Sequence, residues 1–361
     1  MRRLLISSVA VMAMLSAAPV LAHVQEPAQP AAAEAHSEDA RLNAFFEEAF
    51  QARIALSPQT MTSLGIKTDQ DRLDDVSDAA AERALALQEA QLARMKAEFD
   101  PEKLGPQAKV SWRMFEYGVE QARLSNRWRD WGFQFAANGN PTTSLPVFMI
   151  NNHRISSVED AEAYVARLTD AQRQMGQVAE ELRQRAAAGV VSPRFVFEPS
   201  IENTRNVISG APFDDGADNP VWADFQKKVG ALETEQATKD RLLASARQAL
   251  TGPYKQGFET VLTALGEVQP MADSDAGVWR LPQGEAYYNA RLRLSTTTDL
   301  TADQIHQTGL DEVARIQAEM EVIKRQVGFE GSLQDFFAFL KTDRRFQYPN
   351  TPEGKEQYLT D

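Results

Sequence analysis

Beyond Ser37, apolar residues recur at three- and four-residue spacing along almost the whole chain, and that period predicts helix. Leu42, Phe45, Phe46, Ala49, Phe50 and Ile54 form the first stripe. Ser57-Pro58 ends it, because a proline pushes the residue before it out of helical geometry. A second stripe, Leu85, Leu92, Met95 and Phe99, runs through an Ala/Leu/Glu/Gln-rich stretch that starts at Asp78 and breaks at Asp100-Pro101. Pro106 opens a third helix, which carries Trp112, Phe115, Val119 and Ala122 towards Trp128. Residues 131–155 lack a clean period and contain Gly132, Gly139, Pro141 and Pro146, so they are expected to form an irregular loop.

Ser156-Ser157-Val158-Glu159 supplies a cap and first-turn acids for a long helix reaching about Ala188, with Gly189 suited to the position after its end. A shorter helix over 194–210, a loop over 211–220, and helices over 220–230, 233–250 and 253–265 follow. Strand signals are confined to 278–281 and 195–197, and no repeat of helical-array length stands out. The expected fold is all-α, a single unit of long antiparallel helices over residues 39–361 with very little strand. Thr351-Pro352-Glu353 reads as one more helix start, with Thr as cap and Pro at the first position. The chain ends before that helix gains a cap or an apolar face, so the domain is expected to be truncated at its C-terminus.

The N-terminus has a different pattern. Arg2-Arg3, an apolar run of only about 12 residues, Pro19 and the small residues Val20 and Ala22 read as a secretory signal over 1–22, cut after Ala22. Ala/Pro/Glu-rich residues 23–38 are expected to be a disordered linker. A periplasmic or secreted location follows. No later apolar run approaches the roughly 20 residues of a membrane span. The net charge of −13 argues against nucleic acid and anionic lipid as partners. The absence of cysteine removes thiol nucleophiles, disulfides and Fe–S clusters.

Candidate chemistry is sparse. His153 and His306 lack a second ligand at zinc-helix spacing, so no metal ligand is assigned in this chain. The G-x-S-x-G, P-loop and G-x-G-x-x-G motifs are absent too, and no catalytic residue is assigned. His306 shares a helix face with Leu310, Val313, Gln317 and Met320, which predicts a buried or half-buried imidazole; a cleft-facing one is the alternative. Tyr287 and Tyr288, about 100° apart on a helix, place at most one phenol towards the core and the other near a groove. Tyr287, Tyr288 and His306 are the candidate substrate-binding residues. Asn151-Asn152-His153-Arg154 is a polar cluster within the expected loop.

The segments GVWRLPQGEAYY at 277–288, TTTDLTADQIHQTGL at 296–310 and the following EVARIQAEM resemble the exported bacterial domain-of-unknown-function 885 family. Ser57-Pro58 with Leu64-Gly65, and the stretch 336–346, agree in order and spacing. The family is similar to helical zinc metallopeptidases of the gluzincin kind, with a His-Glu-x-x-Pro-Gly-His motif in the C-terminal half. The resemblance therefore implies zinc as cofactor of the full-length family and a peptide-like substrate. In such enzymes the metal polarises a peptide carbonyl and the Glu acts as general base. No position of this chain matches that motif, so the resemblance places the chain in the N-terminal half of such a fold, with no zinc bound by its own residues. The function it implies is the N-terminal part of an exported zinc-dependent peptidase-like hydrolase. The alternative is a non-catalytic periplasmic helical protein that binds peptides or envelope components.

Overall fold

The computed structural model describes residues 30–136 and 139–361, with side-chain surroundings from residue 38 onward. The signal-sequence reading of 1–22 and the first part of the expected linker lie outside the described residues. The first helix, α1 (Pro30–Ile54), takes its opening turns from the rest of that linker stretch. Alanine, the best helix former, is abundant there.

Two apolar cores organise the molecule. In the smaller, α1 packs with α3 (Asp78–Glu98) and α4 (Pro106–Arg127) around Leu42, Phe45, Met95 and Trp112, the residues of the first three stripes. A short helix, α2 (Pro58–Ser63), links α1 to the loop before α3, and Ser57 caps it as its side chain accepts from the Thr60 amide.

The larger core gathers α5 (Pro141–Asn151), α6 (Val158–Ala187), α7 (Arg194–Val207), α8 (Pro220–Gly230), α9 (Gln236–Ala249) and α10 (Lys255–Val268). The central element is α6, a 30-residue helix about 45 Å long. It buries Tyr164, Leu168, Ala171, Met175 and Val178 along one side. The close partner is α10, where a Cβ on Gly257 would stand 3.0 Å from the Ala171 carbonyl oxygen. Only a glycine allows that approach without displacing backbone. Helices α9 and α10 meet through a π-helical turn, Leu250–Tyr254, kinked at Gly252 ahead of Pro253.

Helix α11 (Gly284–Thr296) lies against α4. Beyond it come α12 (Ala302–Gln326), α13 (Leu333–Thr342) and α14 (Pro352–Thr360). Here α12 has α13 as its main neighbour, and Phe329, Phe336, Phe339 and Phe346 form a small aromatic group. Large apolar residues on α12 stay in solvent, Leu310 at 51% and Val313 at 53% exposure. Thr351 caps α14 through the Gly354 amide, as its sequence suggests.

The described residues are helical throughout their regular structure, so the all-α expectation holds. Three local expectations do not. The irregular loop expected over 131–155 contains α5: Asn140 caps it, Pro141 occupies the first position, where a missing N–H costs nothing, and Pro146 is accommodated inside. Residues 195–197 lie in α7. Residues Val278–Arg280 form a single 3₁₀ turn rather than a strand, because among the described residues no extended neighbour offers them a ladder.

Candidate functional site

Packing explains the composition of residues 277–288. The Trp279 ring lies directly over Gly277, where a Cβ would fall 2.1 Å from ring carbons. Gln283 adopts a left-handed φ of 55° before Gly284, whose absent Cβ leaves room for the Val278 carbonyl. Arg280 donates to the Val191 carbonyl just beyond α6, and its guanidinium lies 5.7 Å from the Phe133 ring. The Trp131 indole donates to the Pro282 carbonyl. Gly277, Arg280, Pro282 and Gly284 thus seat the turn against the ends of α4 and α6. Trp279 remains 74% exposed.

The three sequence candidates do not come together. Tyr287 is half-buried 6.1 Å from Trp128, whereas Tyr288 points to solvent. His306 is exposed on α12, so the burial expected for it is wrong. The apolar face it shares exists, but Leu310 and Val313 on it stay about half exposed. Among the described residues, no hydrogen bond or aromatic contact joins His306 to Tyr287 or Tyr288.

The concentrated polar chemistry is elsewhere, where the loop after α2 meets the α5–α6 junction. His153 and Arg167 are completely buried there. Arg167 donates to the carbonyls of Arg72 (2.8 Å) and Pro58 (3.2 Å), to the Thr62 hydroxyl (2.7 Å) and to His153 Nδ1 (3.0 Å). A guanidinium has only donors, so Nδ1 must accept and the imidazole is neutral with its proton on Nε2. That proton is donated to the Asp160 carbonyl at 3.1 Å. The Gln70 amide nitrogen, 3.4 Å from Nε2, is itself a donor and makes no bond to the protonated ring nitrogen.

Electrostatics agree with this geometry. Burial, reinforced by the Arg167 charge, pushes the His153 pKa down to about 4. Burial also lowers Arg167, to about 10, which leaves it charged at neutral pH. Asp160 is buried, which alone would raise its pKa, but hydrogen bonds from Lys67 and Ser156 bring it below the usual carboxylate value. Lys228 caps the end of α5 by donating to the Ile150 and His153 carbonyls, both at 2.9 Å. Both ring nitrogens of His153 are committed, so it is no general base. The sequence could not expose this knot, since Arg72, Pro58 and Thr62 lie 95, 109 and 105 residues from Arg167.

Over the knot opens a cavity of about 500 Å³, lined by the α2 loop on one side and by Asn151, Asn152, Arg154 and Ser156 on the other. Three members of the polar cluster singled out in the sequence therefore face one open space, and the fourth, His153, is buried beneath it.

A zinc ion does not fit the described residues. Among the described residues no group of three or more His, Cys, Asp or Glu side chains could hold a metal ion. Nor is any described helix long and apolar enough to cross a membrane.

A family model described as "Bacterial protein of unknown function (DUF885)" matches residues 58–361. In three dimensions the chain is similar to the crystal structure of a presumed lipoprotein from Colwellia psychrerythraea, with a TM-score of 0.75 and 20% identity. The likeness covers 90% of this chain but only 57% of that one. At such identity it shows the fold alone. The sequence matches no curated protein.

Proposed function

The chain belongs to this bacterial family of unknown function, and from that premise we propose that it forms the N-terminal, non-catalytic part of an exported zinc-dependent peptidase-like hydrolase. In this reading peptide-bond hydrolysis and the zinc site belong to polypeptide outside these residues. The carrying observation is the uncovered apolar face of α12: Leu310, Val313 and Ile323 along the helix and Val327 at its end are each more than half exposed. Apolar residues repeated along one helix and left exposed are the kind of surface that an interface covers. The similar solved structure is also longer than this chain, which spans 57% of it. The resemblance of residues 277–310 supplies the peptidase class, and that structure's description as a lipoprotein agrees with export.

No catalytic step is derived from the side chains present. Their part is to build a rigid helical wall against which a second half would close. Two measurements test this. Coding sequence continuing past codon 361 should carry an in-frame His-Glu-x-x-Pro-Gly-His motif, and the longer polypeptide should protect the amides of α12 from exchange. A confirmed stop codon at that point, or stoichiometric zinc in the 361-residue protein, would defeat the proposal.

A non-catalytic periplasmic binding protein is the second reading, favoured by the open polar cavity beside Asn152. It requires the 361-residue chain to be monodisperse and to melt in one cooperative step with α12 included.

A further inference from the structure

We propose that the cavity between the α2 loop and the α5–α6 junction binds the free carboxylate of a short peptide. This inference does not rest on the peptidase-like reading; it deepens the binding-protein reading, which shares this cavity, and its titration is independent of the melting test set for that reading. The protein carries 51 acidic against 38 basic residues, yet no carboxylate lines this cavity, while Arg154 and Lys67 both do. Lys67 is engaged by Asp160 at 2.7 Å. Among the described residues Arg154 makes neither an ion pair nor a side-chain hydrogen bond, and its guanidinium is the free cation of the site. A guanidinium presents two parallel N–H donors that match a carboxylate.

The walls are held in place before any ligand arrives. Asn152 donates across the cavity to Ser63 at 3.3 Å, and Lys67 donates to Ser156 at 3.2 Å. Gln70 and Thr62 are buried at the floor, and Thr62 is fixed by Arg167 of the knot. The amides of Asn151 and Asn152 offer both a donor and an acceptor, which a peptide unit next to the carboxylate can satisfy. A volume of about 500 Å³ lies within the range of small-ligand sites.

The test is calorimetric titration of the whole protein with N-acetyl-Ala-Ala, its C-terminal amide and inorganic phosphate. Saturable binding of the free acid is expected below about 10 mM. Amidation of the ligand, or Arg154→Ala in the protein, should weaken it by about tenfold or more, with the melting temperature unchanged. Arg205→Ala, which removes an exposed charge outside the cavity, should leave binding intact. The proposal is overturned by absence of saturable binding, by equal binding of the amide, or by equal loss in Arg205→Ala. Phosphate competing as tightly as the peptide would overturn it as well, since the site would then read charge alone.

Discussion

Residues 30–296 and residues 297–361 are written in the same helical pattern, but they meet different fates. In the first region the stripes close on each other, and Phe225, Phe258, Leu265 and Met175 vanish from solvent. In the second, α12 has a full capping box at Thr301 and Gln304, together with apolar residues at helical spacing, yet Phe336 is its region's single buried apolar side chain among the described residues. Local sequence decides that a helix forms. Burial needs a partner surface, and a helix's own residues cannot provide one.

The sharpest way to break that contrast is truncation of matched apolar residues. Phe258, fully buried 4.7 Å from the Tyr254 ring, should cost about 3–5 kcal/mol on Phe258→Ala in urea unfolding. Leu310→Ala should stay within about 0.5 kcal/mol. Equal costs would mean that α12 is packed after all.

A second experiment uses pH. His153 in the folded protein sits near 4, below its ordinary value of 6.5, so below about pH 6.5 the unfolded chain takes up a proton that the folded one refuses. Its contribution is fully present above pH 6.5, is lost as pH falls towards 4, and amounts to about 3 kcal/mol at most. Unfolding midpoints measured between pH 7.5 and 4 should show the decline in wild type, and His153→Gln should flatten it. A slope unchanged in the variant would remove the knot from the account.

The smallest expected effect lies in the second region. Amides of α12–α14 should exchange faster than those of α6 and α10. Thr301→Ala should lower the protection of α12 by about 1 kcal/mol without moving the global unfolding midpoint. A shift of the global midpoint would show that the two regions unfold together.

The same distinction between local and tertiary information explains how much the sequence disclosed. The long helices were legible because their stripes and caps are local: Ser157 caps α6 and Gly189 follows it with a positive φ. The helix α5 was hidden by Pro141 and Pro146, which weigh as breakers until Asn140 is recognised as a cap. The turn at Val278–Arg280 looked extended because valine and tryptophan favour strands, and only the neighbouring chain excludes that. At the candidate site, Asn151, Asn152 and Arg154 stood out as a polar group. Their juxtaposition with Lys67 and Gln70, and the burial of His153, depend on residues more than 80 positions distant. His306 failed in the opposite sense: its apolar face was real, but its cover was not.

The span of the Arg167 bonds bears on the order of folding. Those to Arg72, Pro58 and Thr62 return nothing until about 100 intervening residues have been brought into place, so the entropy of that closure is spent before any of these three forms. The pairing of α6 with α10 also spans 84 residues, but it is repaid by burial of a long apolar face, whereas the guanidinium gains only polar contacts and engages late. Interactions missing from the transition state govern how fast a protein comes apart rather than how fast it assembles. Arg167 is accordingly a latch on unfolding: replacing it should shorten the lifetime of the native state and leave the refolding rate almost unchanged.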